Sequence, residues 1–92
     1  MIKSWKHKGL KIFFETGNTS GIQVNHAKKL RKQLLLLDSA QNVKDMNLPG
    51  YAFHKLNGDL LEYFAITVSG GWRLVFKFEN GDAILLNYLN YH

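Results

Sequence analysis

The apolar positions change period halfway along the chain. Between His7 and Thr16, Leu10, Phe13 and Phe14 gather on one side of a helical projection, and Gly17 stands where a helix stops. Asn18-Thr19-Ser20-Gly21 is a turn cluster. From Gln23 to Leu37, Ala27, Leu30, Leu34 and Leu37 step by three, four and three residues, which predicts a second helix with a buried stripe. Leu35 and Leu36 widen that stripe, either as more core or as a partner surface. Residues 38–50 read as a loop with a helical turn around Val43–Met46. After Gly50 the period falls to two. Tyr51–Leu56, Leu61–Val68, Trp72–Phe78 and Ala83–Tyr91 read as strands, and Ile2–Lys6 as a short strand at the start. Asn57-Gly58-Asp59, Ser69-Gly70-Gly71 and Glu79-Asn80-Gly81-Asp82 are the turns. Asn-Gly is a strong hairpin signal, and short turns require antiparallel neighbours.

Helices first and hairpins last predict an α+β fold: an N-terminal strand and two to three helices packed on one face of an antiparallel sheet. Alternation assigns the faces. Trp72, Leu74, Phe76 and Phe78 point toward the helices, and Arg73, Val75 and Lys77 point away. The 92 residues have room for one core, so residues 1–92 are expected to form a single domain. The absence of Cys excludes disulfides and thiolate metal sites. The basic start lacks a following apolar stretch, and Leu34–Leu37 is far short of the roughly 20 residues that span a bilayer. A soluble, cytoplasmic protein with no membrane association is expected.

Charge divides the chain unevenly. The formal net charge is +5, with 12 Lys and Arg against 7 Asp and Glu. Lys3, Lys6, Lys8, Lys11, Lys28, Lys29, Arg31 and Lys32 face a single acid, Glu15, in the first third, whereas acids outnumber bases in the rest. This fits a polyanionic partner, whether nucleic acid, acidic protein or anionic membrane, and equally a solvated helix face.

Three side chains suggest chemistry. They are His54 and His92, of the residue type suited to proton transfer, and Arg73, which projects from a strand. Metal-free RNA cleavage needs such a set. A base takes the proton of a ribose 2′-hydroxyl, a cation stabilises the phosphoryl oxygens, and an acid protonates the leaving 5′-oxygen. Isolated histidines more often serve packing or lie on the surface, so the residues alone reach only a small basic α+β protein, compatible with many roles. His7, His26, His54 and His92 have no metal-binding spacing, so no metal and no cofactor are expected. There is no nucleophile elbow and no phosphate loop; Gly70-Gly71 is a hairpin turn.

A set of ordered segments carries more. Met1-Ile2-Lys3-Ser4-Trp5-Lys6-His7-Lys8-Gly9-Leu10, Phe14-Glu15-Thr16-Gly17, Leu56-Asn57-Gly58-Asp59, Tyr63-Phe64-Ala65-Ile66-Thr67-Val68, Trp72-Arg73-Leu74-Val75-Phe76, Asn80-Gly81-Asp82-Ala83 and Asn90-Tyr91-His92 follow one another across almost the whole chain. In order and spacing they resemble the HigB toxins, the plasmid maintenance killer branch of the RelE/ParE superfamily. The resemblance implies a fold similar to microbial ribonucleases. It also implies the toxin of a type II toxin–antitoxin pair, a metal-independent endoribonuclease that enters the A site of the 70S ribosome and cuts translated mRNA. The implied partners are a HigA-type helix-turn-helix antitoxin, the ribosome and mRNA, with operator DNA reached only through the antitoxin complex.

By the same resemblance, His54, Arg73, Tyr91 and His92 line the active site. Arg73 clamps the scissile phosphate, the two histidines share the proton transfers, and Tyr91 stacks on or orients a base. The family commonly has an acid where this chain has Asn90, and a basic residue where it has Asn57; Lys55 stands where the family has proline. Asn90, Lys55 and Asn57 are therefore expected to position substrate, with weaker cleavage or altered codon preference as the consequence. Lys6, Lys8, Lys11, Lys28, Lys29, Arg31 and Lys32 become candidates for ribosomal RNA phosphates. Two alternatives are a ParE-like toxin that inhibits gyrase by binding, and a degenerate toxin that only binds its antitoxin.

Overall fold

The computed structural model describes residues 1–91. Two α-helices, α1 (Lys8–Thr16) and α2 (Ala27–Ser39), precede four strands: β1 (His54–Lys55), β2 (Tyr63–Ser69), β3 (Trp72–Glu79) and β4 (Asp82–Asn90). The strands form one antiparallel sheet in the order β1-β2-β3-β4. This is the α+β meander that the change of period predicts. No helix among the described residues is long and apolar enough to cross a membrane.

The core lies between the helices and one face of the sheet. Leu10 and Phe13 of α1 and Leu30, Leu34 and Leu37 of α2 meet Ile66, Val68, Leu74, Phe76, Leu86 and Tyr88. Trp72 and Phe78 pack at its margin. Burial of each large side chain contributes about 1.5–3 kcal/mol, so the stripe and the alternating strand hold each other in register. Leu36 joins the core margin, whereas Leu35 is 56% exposed and belongs to the surface.

Local chemistry sets the helix ends. His7 caps α1 through Nδ1, which accepts the Leu10 N–H at 2.9 Å, and Gly17 closes the helix in the left-handed conformation. The start of α2 is a 3-10 turn, Val24–His26, so the α-helix proper begins four residues after the expected Gln23. Gly9 of α1 lies directly against Gly21. A Cβ on Gly9 would stand 2.6 Å from the Gly21 carbonyl oxygen, which only two glycines allow.

Two expected strands need correction. Ile2–Lys6 is not a strand but runs parallel to β4 through two isolated bridges, Ile2 to Ala83 and Trp5 to Leu86. A bulge in β4 explains why. Phe76 faces both Leu85 and Leu86, because Val75 pairs with Asn87 and Lys77 with Ile84. Leu85 has a φ of 55°, and its N–H is taken by the Ser4 hydroxyl at 2.8 Å. A continuous ladder cannot pass that kink. Tyr51–Leu56 likewise shortens to His54–Lys55, because Ala52 adopts a φ of 47° and breaks the extended run. The helical turn Val43–Met46 is present, closed by a capping box between Asn42 and Asp45.

A buried polar pair ties the helical layer to the last strand. His26 Nδ1 lies 2.6 Å from the Tyr88 hydroxyl, and Trp72 stacks on Tyr88 at 4.5 Å. Burial, reinforced by the charge of Lys29, lowers the His26 pKa; burial also lowers that of His7. For both residues the unfolded chain binds a proton more readily than the folded one. Stability is therefore complete above about pH 6.5 and is lost as pH falls from there toward the depressed folded values. The melting temperature should drop between pH 7 and pH 5, and His26→Gln should reduce that drop. Gly9→Ala should cost about 1–3 kcal/mol by forcing helix and turn apart, read from the urea midpoint.

Candidate functional site

The face of the sheet turned away from the helices carries the polar side chains. Directly paired residues share a face, so His54, Ala65, Val75 and Asn87 form one row across the sheet. Thr67, Arg73 and Leu89 form the next. Tyr63 and Lys77 begin a third. Ala65 and Val75 are buried outside the core cluster, so small side chains floor the centre of this face and larger ones ring it.

Arg73 stands where alternation puts it. Its guanidinium donates to the carbonyl oxygens of Gly70 and Trp72 at the β2–β3 turn, which leaves further N–H groups for an anion. The same guanidinium lies 5.8 Å from the centre of the Tyr91 ring, whose backbone N–H is fixed to the Gly71 carbonyl at 3.0 Å. The turn thus holds both side chains together. An arginine anchored on one edge of its fork is better organised for a phosphate than a free lysine.

His54 lies on the same face, two strands and one row away. That separates the two backbone positions by about 12 Å, within reach of two long side chains. His54 is exposed, and its Nδ1 sits 2.8 Å from the Ala52 carbonyl. A carbonyl only accepts, so Nδ1 carries a proton here, and in the neutral ring the lone pair is on Nε2. Ala52, whose carbonyl meets the ring, is itself in the left-handed region with a φ of 47°.

The remaining expected residues divide. Lys55 pairs with Phe64 and so alternates to the side opposite His54. Asn57 shares that phase and immediately precedes the 3-10 turn Gly58–Leu60, outside the strand, with no side-chain hydrogen bond to cap it. Neither lies on the face with His54 and Arg73. Asn90 ends β4 opposite Trp72, next to Tyr91. His92 lies outside the described residues.

Six of the seven proposed RNA-binding cations lie on the helices. Lys28, Lys29 and Lys32 line a cleft of ≈ 400 Å³ with Asn25 and Tyr51. Arg31 covers the Phe13 ring at 5.6 Å, and Lys8 and Lys11 are exposed on α1. The helices cover the other side of the sheet, so this basic surface is separate from Arg73. Lys6 alone reaches the open face, where its ammonium stands 5.0 Å from the Tyr63 ring centre and that of Lys77 stands 5.3 Å away. Sequence reasoning passed over Tyr63 and Lys77 as site residues, although their odd positions in alternating strands place them on Arg73's face. Among the described residues, no three His, Asp or Glu side chains gather as a metal site.

Residues 3–92 match the HigB-like toxin family, described as the RelE-like toxin of type II toxin-antitoxin system HigB. The chain is 46% identical over 92 residues to a Proteus vulgaris protein named Endoribonuclease HigB, with both chains fully covered. It is 32% identical over 94 residues to Toxin HigB-1 of Vibrio cholerae serotype O1 (strain ATCC 39315 / El Tor Inaba N16961), covering all of this chain and 98% of that protein.

The His54 geometry has a direct spectroscopic consequence. Long-range ¹H–¹⁵N correlation of neutral His54 should place the proton on Nδ1, and Nε2–H as the main form would contradict the Ala52 contact.

Proposed function

This chain belongs to the RelE-like HigB toxins of type II toxin–antitoxin systems, and from that premise we propose that it cuts mRNA on the translating ribosome by metal-independent acid–base catalysis. The observation that carries this reading is the placement of Arg73. It is anchored by the turn carbonyls over Tyr91, on the same open face as the exposed His54.

In the proposed reaction the scissile phosphate sits against the free N–H groups of Arg73. His54 Nε2 takes the proton of the ribose 2′-hydroxyl as the 2′-oxygen attacks phosphorus. The bond from phosphorus to the 5′-oxygen breaks, and His92 protonates that leaving oxygen. Charge builds on the phosphoryl oxygens during attack, which is when the fixed guanidinium contributes most. Tyr91 orients an adjacent base while its ring supports Arg73. Asn90 contributes hydrogen bonds at the same strand end, and Lys55 and Asn57 contact RNA from the neighbouring edge. The basic helical side, with Lys8, Lys11, Lys28, Lys29, Arg31 and Lys32, meets ribosomal RNA phosphates.

A type II toxin is paired with an antitoxin. We assign a HigA-type helix-turn-helix protein to that role, with operator DNA bound through the complex, and a cytoplasmic site of action.

Mapping of mRNA ends by primer extension in a cell-free translation reaction, with and without ribosomes, tests this directly. Cuts should fall within codons of translated mRNA only. Arg73→Ala, His54→Ala and His92→Ala should each reduce cutting by at least about 100-fold, and growth arrest with it, while folding is kept. Arg73→Lys should fall between wild type and alanine, because charge remains but the anchored fork is gone. Intact mRNA with the unsubstituted protein would overturn the reading, and gyrase inhibition would then be assayed.

A further inference from the structure

Tyr63 takes no part in the chemistry above, yet it collects two cations from distant parts of the chain. It lies opposite Lys77 on the open face, with the Lys77 ammonium 5.3 Å from its ring centre. Lys6 comes from beyond the other edge of the sheet and places its ammonium 5.0 Å from the same centre. Its backbone is fixed there, because the Lys6 N–H donates to the Leu86 carbonyl at 2.8 Å.

Two ammonium groups that share one ring lie within about one Debye length (~10 Å at 0.1 M salt) of each other and repel. Among the described residues neither is within ion-pair distance of a carboxylate; the ion pair that forms joins the Met1 amino group to Asp82. The ring fixes the cations without neutralising them. An anion bound beside the ring, within reach of both, would relieve their repulsion and satisfy donors that the ring cannot. Arg73 is four residues from Lys77 on the same strand and the same face, about 13 Å away along the backbone. A strand of RNA lying along β3 passes both.

We infer that Lys6 and Lys77, positioned by Tyr63, bind a second phosphate of single-stranded RNA, distinct from the phosphate at Arg73. This rests on the reading of the open face as the RNA-binding face. It adds a point of grip that sets the direction and register of the strand, and it needs no bond to be made or broken.

The test is the salt dependence of binding to a short, uncleavable 2′-O-methyl RNA, followed by fluorescence anisotropy. For a single strand, each phosphate that the protein no longer neutralises lowers the slope of log K against log salt by about 0.7. The double change Lys6→Gln with Lys77→Gln should show that decrease, Lys6→Gln and Lys77→Gln alone should each show part of it, and Lys77→Arg should keep the slope of the unsubstituted protein. Lys44→Gln, the same change of charge at an exposed position of the turn Val43–Met46, should leave it unchanged. Slopes for Lys6→Gln and Lys77→Gln equal to that of Lys44→Gln would overturn the second phosphate site, as would an unsubstituted protein with no measurable affinity. The cleavage assay separates this from the enzymatic reading. Cutting of translated mRNA alongside unchanged slopes refutes the second site alone. Reduced slopes from a protein that cuts nothing support the site and refute the catalysis.

Discussion

The two-residue period of β3 is the constraint on which both the core and the open face depend. Leu74 and Phe76 are fully buried against the helices, and their neighbours Arg73, Val75 and Lys77 are thereby turned the other way. A slip of one residue would bury two cations and expose two large apolar side chains, a change no local adjustment could offset. The apolar core thus fixes the direction of the charged side chains without touching them. Any chemistry on the open face inherits its precision from packing on the hidden one.

A second element braces the same region from below. Gln33 is buried in α2, and its Nε2 donates to the Thr67 carbonyl at 2.8 Å. Thr67 is the direct partner of Arg73, and its N–H goes to the Tyr51 carbonyl at 2.7 Å. The helical layer is therefore bonded to the backbone pair that carries Arg73. Among the described residues the Gln33 Oε1 finds no partner, which costs about 1–3 kcal/mol of desolvation. The aromatic and histidine cluster of His26, Trp72 and Tyr88 makes a second joint at the same end of β3, beside Arg73.

Regular features were legible in the sequence because they repeat. The α2 stripe, the meander, the Gly17 stop and the two faces of β3 each follow from periodicity or from a residue with one conformational role. What escaped has no periodic signature. The bulge at Leu85 and the kink at Ala52 put ordinary residues at positive φ, where sequence expects glycine. The His7 cap uses a residue outside the usual capping set. The His26–Tyr88 pair spans 62 positions and could not be read from either residue alone. For the candidate site, strand alternation located Arg73, and could have located Tyr63 and Lys77. It could not show that Lys6 crosses from the N-terminal segment, nor that the α2 lysines sit behind the sheet.

The bond from Leu85 to Ser4 joins residues 81 positions apart, at the kink that shapes β4. Closing so large a loop is entropically slow, and it waits until the last strand exists. During synthesis the helices and first hairpin emerge with the outer edge of β4 still missing. Lys6 has no anchor until β4 arrives, and Tyr91 follows later still. The face that Lys6 shares with Arg73 and Lys77 is therefore completed only once β4 has joined the sheet.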